Sequence, residues 1–244
     1  MKSPHIIALA LCCASLVVTV SCNKPKKVSS KITTEIPATV ITSIEAHDAI
    51  VVKYTQAKGE TKVSVVCRKE YVQNYDIRVE GTKLIAAVKP GEAIPSSGVE
   101  INVTSPLIED IKAENAAVVN LGNEASFDNN LKISVSRASC VKCKKLECAN
   151  LTLNATEASQ IQLPHLTCND ITASATNCAA IYLDGKAKEV KFRVGTCSTI
   201  SSAKLEAHIS TTTVDESALI KKKQKTVAPK TVPQAEADST KKPN

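Results

Sequence analysis

The sequence predicts an all-β protein built as a single-stranded parallel β-helix, a solenoid whose rungs are about 20 residues long. One pattern returns four times between residues 131 and 200, and its first apolar residues are Leu131, Leu151, Ile171 and Val190. Within each copy, apolar or small residues alternate with polar ones, which is the period of a strand with one buried face. Aromatic residues make up only 2% of the chain, which fits a narrow interior filled by aliphatic side chains. A rung this short has no room for an α-helix, so each copy must stack on its neighbours to bury its inner face.

A second regularity predicts which side chains fill the interior. Two small residues follow each strand, and a β-branched residue then occupies one fixed position: Val141, Ile161, Ile181 and Ile200. Side chains one rung apart in a solenoid lie above one another, so we expect these four residues to form a single interior file.

A polar column marks one corner of the predicted rungs. Asn130, Asn150 and Asp170 directly precede the first apolar residue of their rungs, and Glu189 does so in the last one. Asn and Asp tolerate a left-handed backbone, so we expect a sharp corner at these positions.

The residues before Pro106 are rich in strands but not repetitive. Residues 36–105 contain several runs with β-branched alternation, a hairpin turn around Gly81 and a loop at 90–98. We expect residues 36–105 to cap the N-terminal end of the solenoid, whose open rung would otherwise expose an edge, and residues 106–210 to form the rungs.

The N-terminus indicates export. Residues 1–21 have a charged start and an apolar run of signal-peptide length. The sequence Thr19-Val20-Ser21-Cys22 resembles the lipobox of bacterial lipoproteins, although Thr19 stands where that motif has an aliphatic residue. The resemblance implies that Cys22 is lipidated and that residues 22–35 tether the domain to a membrane. We expect this to be the outer membrane of the cell envelope, on its periplasmic or surface side. The alternative is an ordinary signal peptide followed by an incidental cysteine.

Charge disfavours a nucleic-acid partner. The net charge of the chain is +7, but residues 1–31 and residues 220–244 each contribute +5, which leaves −3 for residues 32–219. Nucleic-acid binding needs a basic face on the folded domain itself. The lysine- and proline-rich segment 220–244 has almost no large apolar side chain, so we expect it to be disordered.

Seven cysteines remain besides Cys22 and the two within the signal segment. Cys148 and Cys168 lie one repeat apart, as do Cys178 and Cys197, so each pair should occupy one column on neighbouring rungs. The pattern is compatible with stacked buried thiols or with disulfides across rungs, and an odd number leaves at least one thiol free. A zinc or redox site is the other interpretation, with Cys140, Cys143 and Cys148 as ligands and His165 as the nearest candidate to complete it. The residues indicate no cofactor.

The sequence as a whole resembles the bacterial family described as the putative auto-transporter adhesin head GIN domain. The resemblance rests on Ile41-Thr42-Ser43-Ile44, on Gly81-Thr82-Lys83-Leu84, on the segment from Val99 to Ile108 and on the rungs. It implies a right-handed parallel β-helix in a secreted or lipid-anchored protein. Family members carry Gly-Ser-Gly at the rung turns, whereas this chain has small residues without glycine, as in Glu157-Ala158-Ser159.

Two classes of function follow. The first is a non-catalytic, lipid-anchored envelope protein whose β-helix presents a binding or adhesion surface to a polysaccharide or an envelope protein. The second is a carbohydrate-active β-helix enzyme, which needs two carboxylates about 5–10 Å apart in a groove. We expect no enzyme, because the sequence offers only adjacent pairs such as Glu109-Asp110 and a column with one carboxylate and one guanidinium (Asn115, Arg137, Glu157, Asn177). The sequence does not predict the oligomeric state.

Overall fold

The computed structural model describes residues 30–59, 61–95 and 98–214. Within these ranges the chain forms the following β-strands, with one 3₁₀ helix, here called the cap helix (Lys69–Asn74), between β4 and β5: β1 (Lys31–Ile36), β2 (Ser43–Ala46), β3 (Val51–Gln56), β4 (Lys62–Arg68), β5 (Tyr75–Glu80), β6 (Lys83–Val88), β7 (Glu100–Ser105), β8 (Asp110–Ala113), β9 (Val118–Asn120), β10 (Glu124–Phe127), β11 (Leu131–Val135), β12 (Cys140–Lys142), β13 (Lys145–Ala155), β14 (Gln160–Ala175), β15 (Ala180–Val194), β16 (Thr199–Ser201) and β17 (Leu205–Val214).

The strands stack in register into a β-helix with three faces. Face A runs through β6, β2, β8 and β11 and then through the C-terminal halves of β13, β14, β15 and β17. Face B runs through β7, β3, β9, β12, the N-terminal parts of β14 and β15, and β16. Face C runs through β10, the start of β13, the middle of β14 and β15, and the start of β17. All of these pairings are parallel, which confirms the fold class predicted from the repeats.

The predicted interior file is present on face B. Val141 pairs with Ile161, Ile161 with Ile181 and Ile181 with Ile200, and each of these side chains is at most 4% exposed. Burying a Val or Ile side chain contributes about 1.5–3 kcal/mol, so this continuous file is a main source of stability.

The predicted corner geometry is wrong in one respect. The column of Asn130, Asn150, Asp170 and Glu189 exists, with Asn150 Nδ2 donating to Asn130 Oδ1 at 2.8 Å, but these residues do not have positive φ. Left-handed backbone occurs instead at the small-residue turns between face A and face B, as at Asp48-Ala49, Asn115-Ala116, Arg137-Ala138, Glu157-Ala158 and Asn177-Cys178.

These left-handed turns are held by hydrogen bonds along the stack. The N–H of Ala138 donates to the carbonyl of Glu157 at 2.9 Å, and the N–H of Ala158 donates to the carbonyl of Asn177 at 3.0 Å. Ser139 lies buried beside the first of these turns, where its hydroxyl donates at 2.6 Å to a carbonyl of its own turn (Ser136) and lies at 2.6 Å from one on the preceding rung. These hydrogen bonds hold the turns in a left-handed conformation although the turns contain no glycine. The alanines at these positions still carry the strain of that conformation.

The N-terminal region contributes to the stack itself. β2 lies between β6 and β8 on face A, and β3 lies between β7 and β9 on face B. The rung formed first along the chain is therefore inserted between the second and the third, and the parallel stack extends to the N-terminal side of Pro106. β4, β1 and β5 add antiparallel strands beyond it.

A buried serine fixes the point where the chain crosses this inserted rung. The Ser105 hydroxyl donates to the carbonyl of Ile41 at 2.7 Å and accepts from the N–H of Ile41 at 3.3 Å. The hydroxyl of Tyr54 donates to the carbonyl of Ser105 at 2.7 Å. Ser105 is fully buried, and these bonds satisfy backbone groups that would otherwise be left unpaired in the core.

The 19-residue step of the repeat has a local cause. The rung with Leu163-Pro164-His165-Leu166 at its face B to face C corner is followed by a rung with Leu183-Asp184-Gly185, which is one residue shorter, and the register shifts there. Gly185 has φ +128°, and a Cβ atom at this position would lie 2.0 Å from the carbonyl oxygen of Leu166. The shorter corner is possible only because position 185 has no side chain.

Candidate functional site

A row of outward side chains on face B is the most distinctive polar surface of the described rungs. Lys53, Asn120, Lys142, Gln162 and Tyr182 are paired in that order from rung to rung. Lys142, Gln162 and Tyr182 each directly follow a residue of the interior file, and Asn120 follows the buried Val119, so alternation points these side chains to solvent. Parallel strands lie about 4.8 Å apart, so the row, here called the face B row, presents polar groups at a regular spacing.

The face B row borders a groove at the corner between faces B and C. The groove has a volume of about 370 Å³ and is lined by Asn120, Lys142, Gln162 and the corner residues Gly122, Asn123, Lys144 and Pro164, with Cys143 beneath. Among the described residues, neither Lys142 nor Lys144 forms an ion pair. One rung further on, the Tyr182 ring is 44% exposed.

The composition of this surface determines what it can bind. Its side chains offer hydrogen-bond donors and acceptors, two unpaired ammonium groups and one aromatic face, and the row itself contains no carboxylate. Such a set suits a hydroxyl-rich or anionic polymer and lacks the pair of carboxylates that glycoside hydrolysis uses. The sequence interpretation missed this row, although its signal was present in the residue that follows each interior β-branched position.

A second cluster lies at the left-handed turns between faces A and B, around His47. Glu45 Oε1 lies 3.1 Å from His47 Nε2, and Glu114 Oε2 lies 3.5 Å from His47 Nδ1. Lys112 Nζ contacts both carboxylates, at 3.1 and 3.2 Å. These groups come from adjacent rungs, because Glu45 and Lys112 are paired across β2 and β8.

The electrostatics of this cluster favour a structural role. Burial raises the pKa of Glu45, but hydrogen bonds from Lys112 and His47 outweigh that effect and bring the pKa below its ordinary value. A glycosidase acid needs the opposite shift, so that it keeps its proton near neutral pH. Neither Glu45 nor Glu114 lines the corner groove, so this pair of carboxylates is not part of the candidate binding surface.

The column of Asn115, Arg137, Glu157 and Asn177 also follows the turns. Arg137 contacts Asn115 Oδ1 at 3.4 Å and Glu157 Oε2 at 3.4 Å. These are exposed ion pairs and hydrogen bonds between neighbouring rungs, which contribute at most about 1 kcal/mol each.

The cysteine columns occupy two different environments. Cys148 and Cys168 are cross-strand partners on face C and both are buried. Their thiols are in contact, and this contact, followed by burial, raises the pKa of Cys168 well above its ordinary range. Cys178 and Cys197 lie at the exposed left-handed turns of successive rungs. All four thiols are free in this structure, and disulfides across either pair of rungs remain a prediction.

The two cysteines of the Cys140–Cys143 motif point in different directions. Cys140 points outward from β12, whereas Cys143 is buried and hydrogen bonds to the carbonyl of Lys145 at 3.1 Å. Burial raises the pKa of Cys143 to about 11, which keeps it a thiol at neutral pH. Among the described residues, no group of three or more His, Cys, Asp or Glu side chains is placed to hold a metal ion.

Most of the membrane-related predictions concern residues that the structure does not describe. The signal segment 1–21, Cys22 and the tail 220–244 lie outside the described residues. Within the described ranges, no helix is long and apolar enough to cross a membrane.

Comparison with known protein families identifies the family of this chain. The model of the family described as "Putative auto-transporter adhesin, head GIN domain" matches residues 41–221, about three quarters of the chain. The chain belongs to this family. The resemblance found from the rungs is therefore confirmed. No curated protein matches the sequence.

Three solved structures share the fold of this chain. A putative adhesin from Bacteroides fragilis is 18% identical with a TM-score of 0.64, covering 78% of this chain and 96% of that one. A putative lipid binding protein from Parabacteroides distasonis is 17% identical with a TM-score of 0.63, covering 79% and 82%. A putative adhesin from the same species is 16% identical with a TM-score of 0.64, covering 82% and 98%. At this level of identity the likeness shows a shared fold.

Proposed function

We propose that this GIN-domain protein is a non-catalytic, exported protein of the bacterial cell envelope, anchored by lipid on Cys22, whose β-helix binds an anionic polysaccharide through the face B row. The family description as an adhesin supports a binding role and an exported location. The observation that most supports an anionic ligand is the corner groove, where Lys142 and Lys144 have no ion-pair partner. Asn120 and Gln162 lie beside them.

The chemistry of the ligand follows from that surface. Regularly spaced amides and ammonium groups match a polymer whose hydroxyl and acidic groups also repeat. The exposed Tyr182 ring provides a flat apolar surface for the apolar face of a sugar ring. Exposed charges act mainly through attraction that salt screens, so binding should weaken as the ionic strength rises.

A glycan array run with the chain from residue 22 onward, carrying Cys22→Ser, tests this proposal. We expect binding to acidic glycans, and we expect Lys142→Ser with Lys144→Ser to lower it by about tenfold or more. Lys132→Ser is the matched control, because Lys132 is an exposed lysine on face A. Equal effects of the two changes, or binding to neutral glycans alone, would overturn the assignment of the surface.

The competing function, a carbohydrate-active enzyme, predicts a different outcome. Incubation with the glycans that bind should release new reducing or unsaturated ends if the protein cleaves them. We expect none, because the face B row has no carboxylate and the Glu45–Glu114 pair is engaged with Lys112 and His47.

The lipid anchor is tested separately. Mass spectrometry of the mature protein from membranes should show an acylated N-terminal Cys22. An unmodified Cys22, or cleavage at another residue, would remove the anchor from the proposal and leave the glycan surface unaffected.

A further inference from the structure

Two exposed cysteines lie on neighbouring rungs toward the C-terminal end of the described solenoid. Cys178 and Cys197 both belong to left-handed turns between face A and face B, with φ of 65° and 54°, and both side chains are exposed. The N–H of Cys178 donates at 3.0 Å to the carbonyl of Thr196, which lies in the turn of Cys197. Neither cysteine lines the corner groove, so this pair is separate from the surface proposed to bind a glycan.

The register of the strands places the two cysteines at equivalent positions. Ala175 pairs with Val194 before the turn, and Ala180 pairs with Thr199 after it. Four residues separate these pairs in each rung, and the cysteine is the third of the four in both. The two thiol side chains therefore leave the backbone one rung apart, a distance of about 4.8 Å along the stack.

This spacing suits a cation that takes two thiolates in line. A zinc–thiolate bond is about 2.3 Å long, and two metal–sulfur bonds of that length in line would span about 4.6 Å, close to one rung. Thiolates are soft ligands that select soft cations such as Cu(I), and Cu(I) accepts linear coordination by two sulfur atoms. We propose that Cys178 and Cys197 bind one Cu(I) ion between their two turns.

The other side chains of the two turns disfavour a metal that needs more ligands. The turns contain neither a histidine nor a carboxylate, since they read Thr176-Asn177-Cys178-Ala179 and Gly195-Thr196-Cys197-Ser198. Over the described ranges, no third His, Cys, Asp or Glu side chain joins this pair in a metal-binding group. Structural zinc sites take four ligands, and calcium and magnesium take several oxygen ligands. Two thiolates by themselves therefore favour Cu(I) over these divalent ions.

Binding changes no oxidation state. The S–H bond of each cysteine breaks, each sulfur forms a bond to Cu(I), and two protons pass to solvent for every ion bound. The product carries one negative charge, from two thiolates and one monovalent cation, and exposure at the turns leaves that charge hydrated. Because both thiols are exposed, the ion reaches them without any opening of the core.

An anaerobic titration with Cu(I), in competition with the chelator bathocuproine disulfonate, tests the site. The protein is the reduced chain from residue 22 onward carrying Cys22→Ser. We expect one Cu(I) ion to bind. Cys178→Ala or Cys197→Ala should weaken this binding by about a hundredfold or more, because even the outer partners of metal ligands are worth about 10-fold to 100-fold in affinity.

Cys140→Ala is the matched control. Cys140 is a half-buried cysteine, and its in-register neighbours are Val118 and Gln160, so it has no thiol one rung away. The affinity for Cu(I) should be the same in Cys140→Ala as in the parent protein. An equal loss in this variant would show that any accessible thiol binds the ion, and the proposal would fail.

The repeat allows the site to be moved by one rung. Alanine already occupies this left-handed position in earlier turns, at Ala116, Ala138 and Ala158, so alanine replacements should leave the turns folded. Ala158→Cys combined with Cys197→Ala places the second thiol on the rung before Cys178 and should restore Cu(I) binding. A folded double variant that does not bind Cu(I) would show that the rung spacing does not create the site.

Two further measurements distinguish this pair from other arrangements of sulfur. X-ray absorption should show two sulfur neighbours for the bound ion, and gel filtration should show an unchanged molecular mass. A third sulfur neighbour or a doubled mass would overturn the proposal, since the ion would then join two molecules. Undiminished affinity in Cys178→Ala with Cys197→Ala would overturn it as well, and would assign the ion to the buried Cys148–Cys168 pair or to another thiol.

Discussion

The short corner at Gly185 makes the β-helix unusually sensitive to a single methyl group. At this corner the rung has 19 residues where its neighbours have 20, and the backbone of Gly185 passes directly against Leu166. In Gly185→Ala the new Cβ would meet the Leu166 carbonyl oxygen at 2.0 Å and the Leu166 nitrogen at 2.6 Å. These are backbone atoms held by the sheet, so neither rotates away.

The expected cost has two parts. A φ of +128° is strained for any residue with a Cβ and costs about 1–3 kcal/mol. Overpacking against rigid neighbours adds about 1–3 kcal/mol. A total of about 2–6 kcal/mol is a large share of the 5–15 kcal/mol typical of a domain, and it corresponds to a fall in Tm of about 4–24 °C.

Chemical and thermal unfolding of Gly185→Ala and Gly81→Ala measure this cost. Gly81 is the matched control, because its φ of +61° is also left-handed but a Cβ there meets nothing within 4 Å. Gly81→Ala should therefore cost only about 1–2 kcal/mol. If Gly185→Ala is no more destabilising than Gly81→Ala, the close approach to Leu166 does not constrain the shorter rung, and the reasoning fails.

Three further predictions concern the turns, the ion cluster and the exposed thiols. Ala158→Gly should stabilise the protein by about 1 kcal/mol in urea unfolding, because Ala158 has φ +60° and glycine removes the strain; a loss of stability would show that the turn is unstrained. Glu45→Gln should lower the free energy of unfolding by less than about 1 kcal/mol at pH 7. The difference from the parent protein should vanish as the pH falls below 4.5, because the pKa of Glu45 is lowered in the fold and the carboxylate stabilises the fold only while it is ionised. A difference that persists at pH 3 would contradict this. Diamide, as oxidant, should take two electrons and two protons from Cys178 and Cys197 and so form one intramolecular disulfide, which peptide maps would detect. This disulfide should raise the free energy of unfolding by about 3 kcal/mol. Covalent dimers would show instead that the two exposed thiols do not face each other.

The repeat in the sequence was sufficient to predict the rungs. Alternation and a spacing of 20 residues require each inner side chain to lie above its counterpart, so the file from Val141 to Ile200 could be derived before any coordinates. The family resemblance had the same origin, since the motifs around Ile41 and Gly81 are short local patterns. Residues 36–105 were harder, because β2 and β3 lack the repeat spacing and find their partners 40 to 67 residues away.

The turn geometry and the corner groove depended on the tertiary structure. The sequence favoured Asn130 and Asp170 for the left-handed corner, but stacking placed it at Ala138 and Ala158, where hydrogen bonds between rungs offset a local preference worth about 1–2 kcal/mol. The face B row could have been derived from the residue after each interior β-branched position, whereas the corner groove beside it also needs Gly122 and Pro164, whose placement the repeat does not specify. A period in the sequence specifies what recurs along the solenoid axis. What lies at its end and across its corners is decided by packing, which brings together residues that no local pattern connects.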